Sequence, residues 1–156
     1  MAKKTRVKVD LSQATNEIRI FKKQAKDRAA EALRDGVRDS IKRGVSPVKG
    51  FGRFQQYSES YKAHIKKKKP NGKRIRPINL TLTGALMRSL FVKVLKNSVV
   101  IGFDNKLANI HNKEGAGKSK VIRRMLPTNK GEKFSRSITI RLSEALTKVA
   151  RGIFKG

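Results

Sequence analysis

Lysine and arginine are the side chains this sequence supplies most freely, and they are clustered. One cluster lies within Lys62–Arg76 and holds Lys66, Lys67, Lys68, Lys69, Lys73, Arg74 and Arg76. The other runs from Lys118 through Lys120, Arg123 and Arg124 to Arg136, where seven basic residues face the single carboxylate of Glu132. Cations at this density bind phosphates or carboxylates. Each DNA phosphate they neutralise releases condensed counterion, so eight contacts give a log–log salt slope of about −7. A merely solvated face commonly mixes signs. One-sign clusters therefore point to a polyanion or to an acidic protein partner.

Other constellations were tested for catalysis. Glu114–Lys120 reads EGAGKSK, and Gly117-Lys118-Ser119 matches the end of a phosphate-binding loop. That loop needs a glycine five residues earlier, where this chain has Asn112, and it must follow a strand so that backbone N–H groups wrap the phosphate. Here a helical pattern precedes it, which leaves a flexible basic loop. Gly50-Phe51-Gly52 is too short for a dinucleotide fingerprint. His64 and His111 are the only histidines, and neither has a carboxylate or cysteine at ligand spacing. His111 fits a structural role, bonded to a backbone carbonyl. No serine triad assembles, and the acidic residues are concentrated in one helix rather than paired for two metals. The expectation is no enzyme, no metal and no cofactor.

Composition points the same way. Of 156 residues, 39 are Lys or Arg and 11 are Asp or Glu, for a net charge of +28. The length suits one domain with a modest core, and 37% hydrophobic residues is low for a self-sufficient globule. Cysteine is absent, which removes disulfides and thiolate metal sites. Tryptophan is absent and aromatics are 6%, too few for rows of base-stacking platforms. The N-terminus MAKKTRVKVD lacks the apolar run of a secretory signal. No stretch approaches the roughly 20 apolar residues of a membrane span. A soluble chain made inside the cell, with no membrane partner, is expected.

The elements that must position these clusters follow from periodicity. Residues 1–11 are a basic arm or an edge strand, since Thr5–Leu11 alternates polar and apolar; a frayed terminus fits equally. Residues 12–43 form a long helix with Ile18, Phe21, Ala25, Ala29, Leu33, Val37 and Ile41 on one stripe. Glu31–Arg34 and Asp35–Arg38 are its expected ion pairs, and Gly44 with Pro47 stops it. Residues 44–78 read as an extended basic connection, anchored by Phe51, Phe54, Tyr57 and Tyr61. Residues 79–115 form a helix–hairpin–helix module. Thr83 caps a helix to about Leu90, Phe91–Leu95 and Val99–Phe103 pair as a hairpin, and Lys106–Lys113 is a short helix closed by Gly115. Residues 116–134 are a basic loop. Residues 135–156 form a second amphipathic helix, although SITIRL taken alone also suits a strand. The fold class expected is α+β: two long helices on a small antiparallel sheet, one domain over 1–156, with long basic loops.

Four ordered segments carry a resemblance. They are Asn79–Leu86 (NLTLTGAL), Val99–Phe103 (VVIGF), Leu107–Asn112 (LANIHN) and Arg123–Pro127 (RRMLP). In this order and spacing they resemble the virion-morphogenesis, or tail-completion, proteins of tailed bacteriophages. Related head–tail joining proteins share the layout. The family pattern is a long helix, an L-T-G-x-L-x-x-S helix start, a V-x-I-G strand, a Y-A-x-I-H-x-x-G helix, an R-x-F-L loop and a final helix. Gly44–Lys62 also looks like the family's connecting segment, so the likeness spans roughly Ile18 to Phe154. Leu107 stands where the family often has Tyr, and Met125 at the aromatic loop position.

The resemblance implies a structural virion protein, not an enzyme. It would be made in the host cytoplasm and would sit in the neck as a ring between portal or adaptor and tail proteins, around packaged double-stranded DNA. A tail terminator is a close variant. Ring contacts are expected from the hairpin and the RRMLP loop, through Phe91, Val92, Val94, Val100, Phe103, Met125 and Leu126. The rival reading is a basic nucleic-acid-binding protein of ribosomal or nucleoid type, which the composition suits but no zinc motif, aromatic RNP strand or recognition helix supports.

Overall fold

The computed structural model describes residues 5–10, 19–68 and 84–153. Apolar residues at three- and four-residue steps make α1 (Arg19–Lys42) a long amphipathic helix. Ala25, Ala29, Leu33, Val37 and Ile41 are buried along it as expected. Gly44 follows at φ 71°, a left-handed turn that stops the helix without the cost a Cβ would add. The ion pairs differ from expectation. Arg28 bonds Glu31 at 3.0 Å and Arg34 bonds Asp35 at 3.3 Å, because helical side chains lean toward the N-terminus and Glu31 meets the turn before it. α5 (Arg136–Ile153) lies along α1, and SITIRL is helical. Gly36 permits the close approach: a Cβ there would stand 3.1 Å from Ile138 Cγ1. Arg141 reaches across to Asp39 at 2.9 Å.

The sheet has three antiparallel strands in the order β1 (Thr5–Asp10), β3 (Ser98–Phe103), β2 (Leu90–Val94). The N-terminal segment is thus an edge strand. It covers the free side of β3, from Thr5 opposite Phe103 to Asp10 opposite Ser98, so the hairpin is not left unpaired. Alternation turns Val99, Ile101 and Phe103 inward, where all three are buried beneath α1. Lys26 of α1 holds the hairpin tip by donating to the carbonyl of Lys96 at 2.9 Å.

Residues 44–68 depart from the expected extended connection. Ser46, Pro47 and Val48 are buried, Val48 bridges Phe134, and Ser135 N–H donates to Pro47 O at 2.8 Å. Glu59–Lys68 then forms α2. The lysine run by itself did not reveal it; Ile65 on the helix and Tyr57 just ahead of it are buried in the core and anchor the segment. Lys66–Lys68 therefore lie on a helix rather than in an extended connection. The helix after residue 83 is a single turn, α3 (Ala85–Arg88), begun by Gly84 with no side-chain cap; the proposed cap Thr83 lies outside the described residues. Asn105 caps α4 (Lys106–Asn109), and a π-helical turn continues it over Ile110–Glu114 to Gly115. One core gathers Leu33, Val37, Ile41, Ile65, Ile101, Phe103, Met125, Leu126 and Ile138 with their neighbours.

Candidate functional site

The loop that follows Gly115 divides into a tip and a root, and the two do different work. At the tip, Ala116 and Val121 pair as an isolated bridge around a four-residue turn. Gly115 has φ +83°, and a Cβ there would collide with the Lys120 backbone. Lys118, Ser119 and Lys120 on this turn are exposed. The turn follows a π-helical turn, not a strand, so the phosphate-loop geometry is not built.

At the root, Asn112 is completely buried and acts as a clamp. Its Oδ1 accepts from the N–H groups of Met125 (2.6 Å) and Leu126 (2.9 Å), and its Nδ2 donates to Leu126 O and Thr128 Oγ1 at 3.1 and 3.2 Å. Arg123 and Arg124, expected as surface contacts, are only 4% and 8% exposed. Arg123 donates to the carbonyls of Gln55 (3.2 Å) and Gln56 (3.1 Å) and lies over the Tyr57 ring. Arg124 donates to the Asn112 carbonyl, lies over Phe51, and has Nε 3.3 Å from Glu132 without hydrogen-bond alignment. Ser46 Oγ donates to Arg124 O at 2.6 Å. These arginines tie the loop root to backbone carbonyls, buried at Asn112 and part-buried at Gln55 and Gln56; they are structural ties, not a contact surface.

Charge in this root is tuned by burial. Burial raises the Glu132 carboxyl, but the N–H groups of Thr128 and Asn129 and the nearby Arg124 outweigh it and hold the pKa below its ordinary value. His111 is pushed down to about 4, first by burial and then by Arg123. Its Nδ1 has no hydrogen-bond partner, contrary to the expected carbonyl bond. The His111 carbonyl instead accepts from the N–H of Arg123 at 2.7 Å. Among the described residues no group of three His, Asp or Glu side chains could hold a metal.

Of the other basic candidates, Lys66 and Lys67 are exposed on α2, and Lys68 ends that helix. Lys69, Lys73, Arg74 and Arg76 lie outside the described residues. Tyr61, 38% exposed, stacks on His64 with ring centroids 6.1 Å apart and meets Tyr57 edge-on at 4.9 Å. Arg123 links the loop root to Gln55 and Gln56, just ahead of α2.

The seven ring-contact candidates separate. Phe103, Met125 and Leu126 are at most 1% exposed and form the core, because strand alternation and the Asn112 clamp turn them inward. Val92 packs against that core. Val94 is 41% exposed beside Leu95 at 46%, at the hairpin tip. Phe91 and Val100 are half-buried on the other face of the sheet. Ser46, Asn112 and Glu132 were missed as key residues. The one available signal was a lone amide and a lone carboxylate set among basic residues. Among the described residues no helix is long and apolar enough to cross a membrane. Set against family models, curated proteins and solved structures, the chain matches none.

Proposed function

We propose that this chain is a structural protein of a tailed-phage virion. It joins head connector to tail as a ring around the DNA channel, in the neck or the adjoining tail-terminator layer, and it acts by shape rather than catalysis. The supporting observation is where the resembling segments fall. Among their described residues Leu86, Val99, Ile101, Phe103, Ala108, Asn112, Arg123, Met125 and Leu126 are buried in one core and its clamp, while Leu107 is exposed. Residues shared for shape belong inside; residues shared for chemistry would gather around an open site. The exposed Lys66, Lys67, Lys118 and Lys120 then face DNA or acidic neighbours, and ring contacts fall to Val94 and Leu95 at the hairpin tip. Cryo-electron microscopy of the purified virion tests this. A closed ring of copies between portal and tail is the expected result. Absence from the neck, with the chain found on packaged DNA, would favour the rival reading as a basic nucleic-acid-binding protein, which the +28 charge suits.

A further inference from the structure

The sheet has a second face that neither basic cluster includes. In the register Arg6 stands beside Gly102 and Gly102 beside Phe91, while Val100 stands between Lys8 and Lys93. Alternation therefore sets Arg6, Phe91, Lys93 and Val100 on the face opposite Val99, Ile101 and Phe103. α1 packs on that inner face. On the outer one, Arg6 and Lys93 are exposed and Phe91 and Val100 half-buried. The Arg6 guanidinium lies 5.9 Å from the Phe91 ring centroid and the Lys93 ammonium 5.6 Å.

We infer that this outer face, through Arg6 and Lys93 flanking Phe91, is a binding surface for the sugar–phosphate backbone of double-stranded DNA. The ring attracts both cations and restricts where they sit, so less freedom is lost when each meets a phosphate. Phe91 is half-buried and flanked by the chain's own cations, which leaves it poorly placed to stack a base. That disfavours a single strand, which needs an open aromatic platform. A charge of +28 draws a polyanion to this face. The inference takes the presence of DNA from the proposed function and adds where and how the chain touches it.

The test is fluorescence anisotropy of a labelled duplex of roughly 20 base pairs, titrated at several salt concentrations. Three proteins are compared: the unaltered chain, Arg6→Gln/Lys93→Gln, and a control, Lys148→Gln/Arg151→Gln. The control removes two exposed cations from α5, which packs on α1 rather than on the sheet. Circular dichroism checks that each variant is folded, and Lys93→Gln alone serves if the double variant is not. The expected result is a log–log salt slope shallower by about 2 for Arg6→Gln/Lys93→Gln, or about 1 for the single variant, with the control unchanged. An unchanged slope in the sheet variant overturns the inference. So does an equal loss in the control, which would mean diffuse charge, and so does failure of the unaltered chain to bind duplex. None of these outcomes moves the ring in the virion, so the neck reading stands or falls separately.

Discussion

Asn112 concentrates more structural work than any other polar side chain described. Replacing it with Ala leaves the N–H groups of Met125 and Leu126 buried without an acceptor. Each such orphan costs about 1–3 kcal/mol, so Asn112→Ala is expected to lose roughly 3 kcal/mol or more in urea unfolding. The loop 116–128 should then become the first site of proteolytic cleavage. His111 sets a pH limit from the same turn. Its pKa falls from 6.5 to about 4 on folding, so the fold keeps it neutral while the unfolded chain takes up a proton. Stability is therefore complete above about pH 6.5 and declines as pH falls toward 4, by about 3 kcal/mol in all. Glu132, also depressed, loses its contribution in acid with the same sign. Urea midpoints measured across this window should slope downward toward acid, and His111→Leu should flatten the upper part.

Among the elements, the pairing of α1 with α5 decides how the molecule holds its shape. Gly36 carries a helix-propensity cost of about 1 kcal/mol relative to Ala, offset by the close approach of Ile138. Gly36→Leu would force the helices apart and is expected to destabilise by about 1–3 kcal/mol, read from thermal or urea unfolding. The hairpin is held more lightly. Lys26 reaches its tip through exposed hydrogen bonds to Leu95 and Lys96 carbonyls. Lys26→Met should cost under about 1 kcal/mol globally yet speed hydrogen exchange around Leu95–Ser98, because it leaves the turn held by little more than the Leu95 N–H bond to the Ser98 carbonyl. In an assembled ring, protection of the same amides would mark the tip as buried.

For the whole molecule, the excess of charge is the governing fact. A net +28 repels itself, and salt screens that repulsion over a Debye length of about 10 Å at 0.1 M. The melting temperature of the isolated chain should rise by a few degrees as salt increases; a flat profile would show that this self-repulsion does not limit the stability of the fold. The buried and exposed cations divide the roles. Arg123 and Arg124 are consumed in holding the loop root, while Lys66, Lys67, Lys118 and Lys120 remain outside it.

Periodicity alone was enough for the two long helices, the β2–β3 hairpin, the Gly44 stop and the α+β class, because each follows from local side-chain spacing and backbone preference. It did not distinguish an arm from an edge strand at Thr5–Asp10, since pairing with β3 joins residues far apart in the chain. α2 was hidden for a related reason: its helix is stabilised by Tyr57 and Ile65 packing on a core assembled from distant segments. The arginines show the limit most sharply. Lys120 and Arg124 look alike in a basic run, but one projects from a turn and the other is drawn inside by the carbonyl of Asn112 and the carboxylate of Glu132. Charge is a property of the residue, written in the sequence; whether that charge meets solvent, a partner or a buried carbonyl depends on neighbours that only the tertiary fold brings within reach.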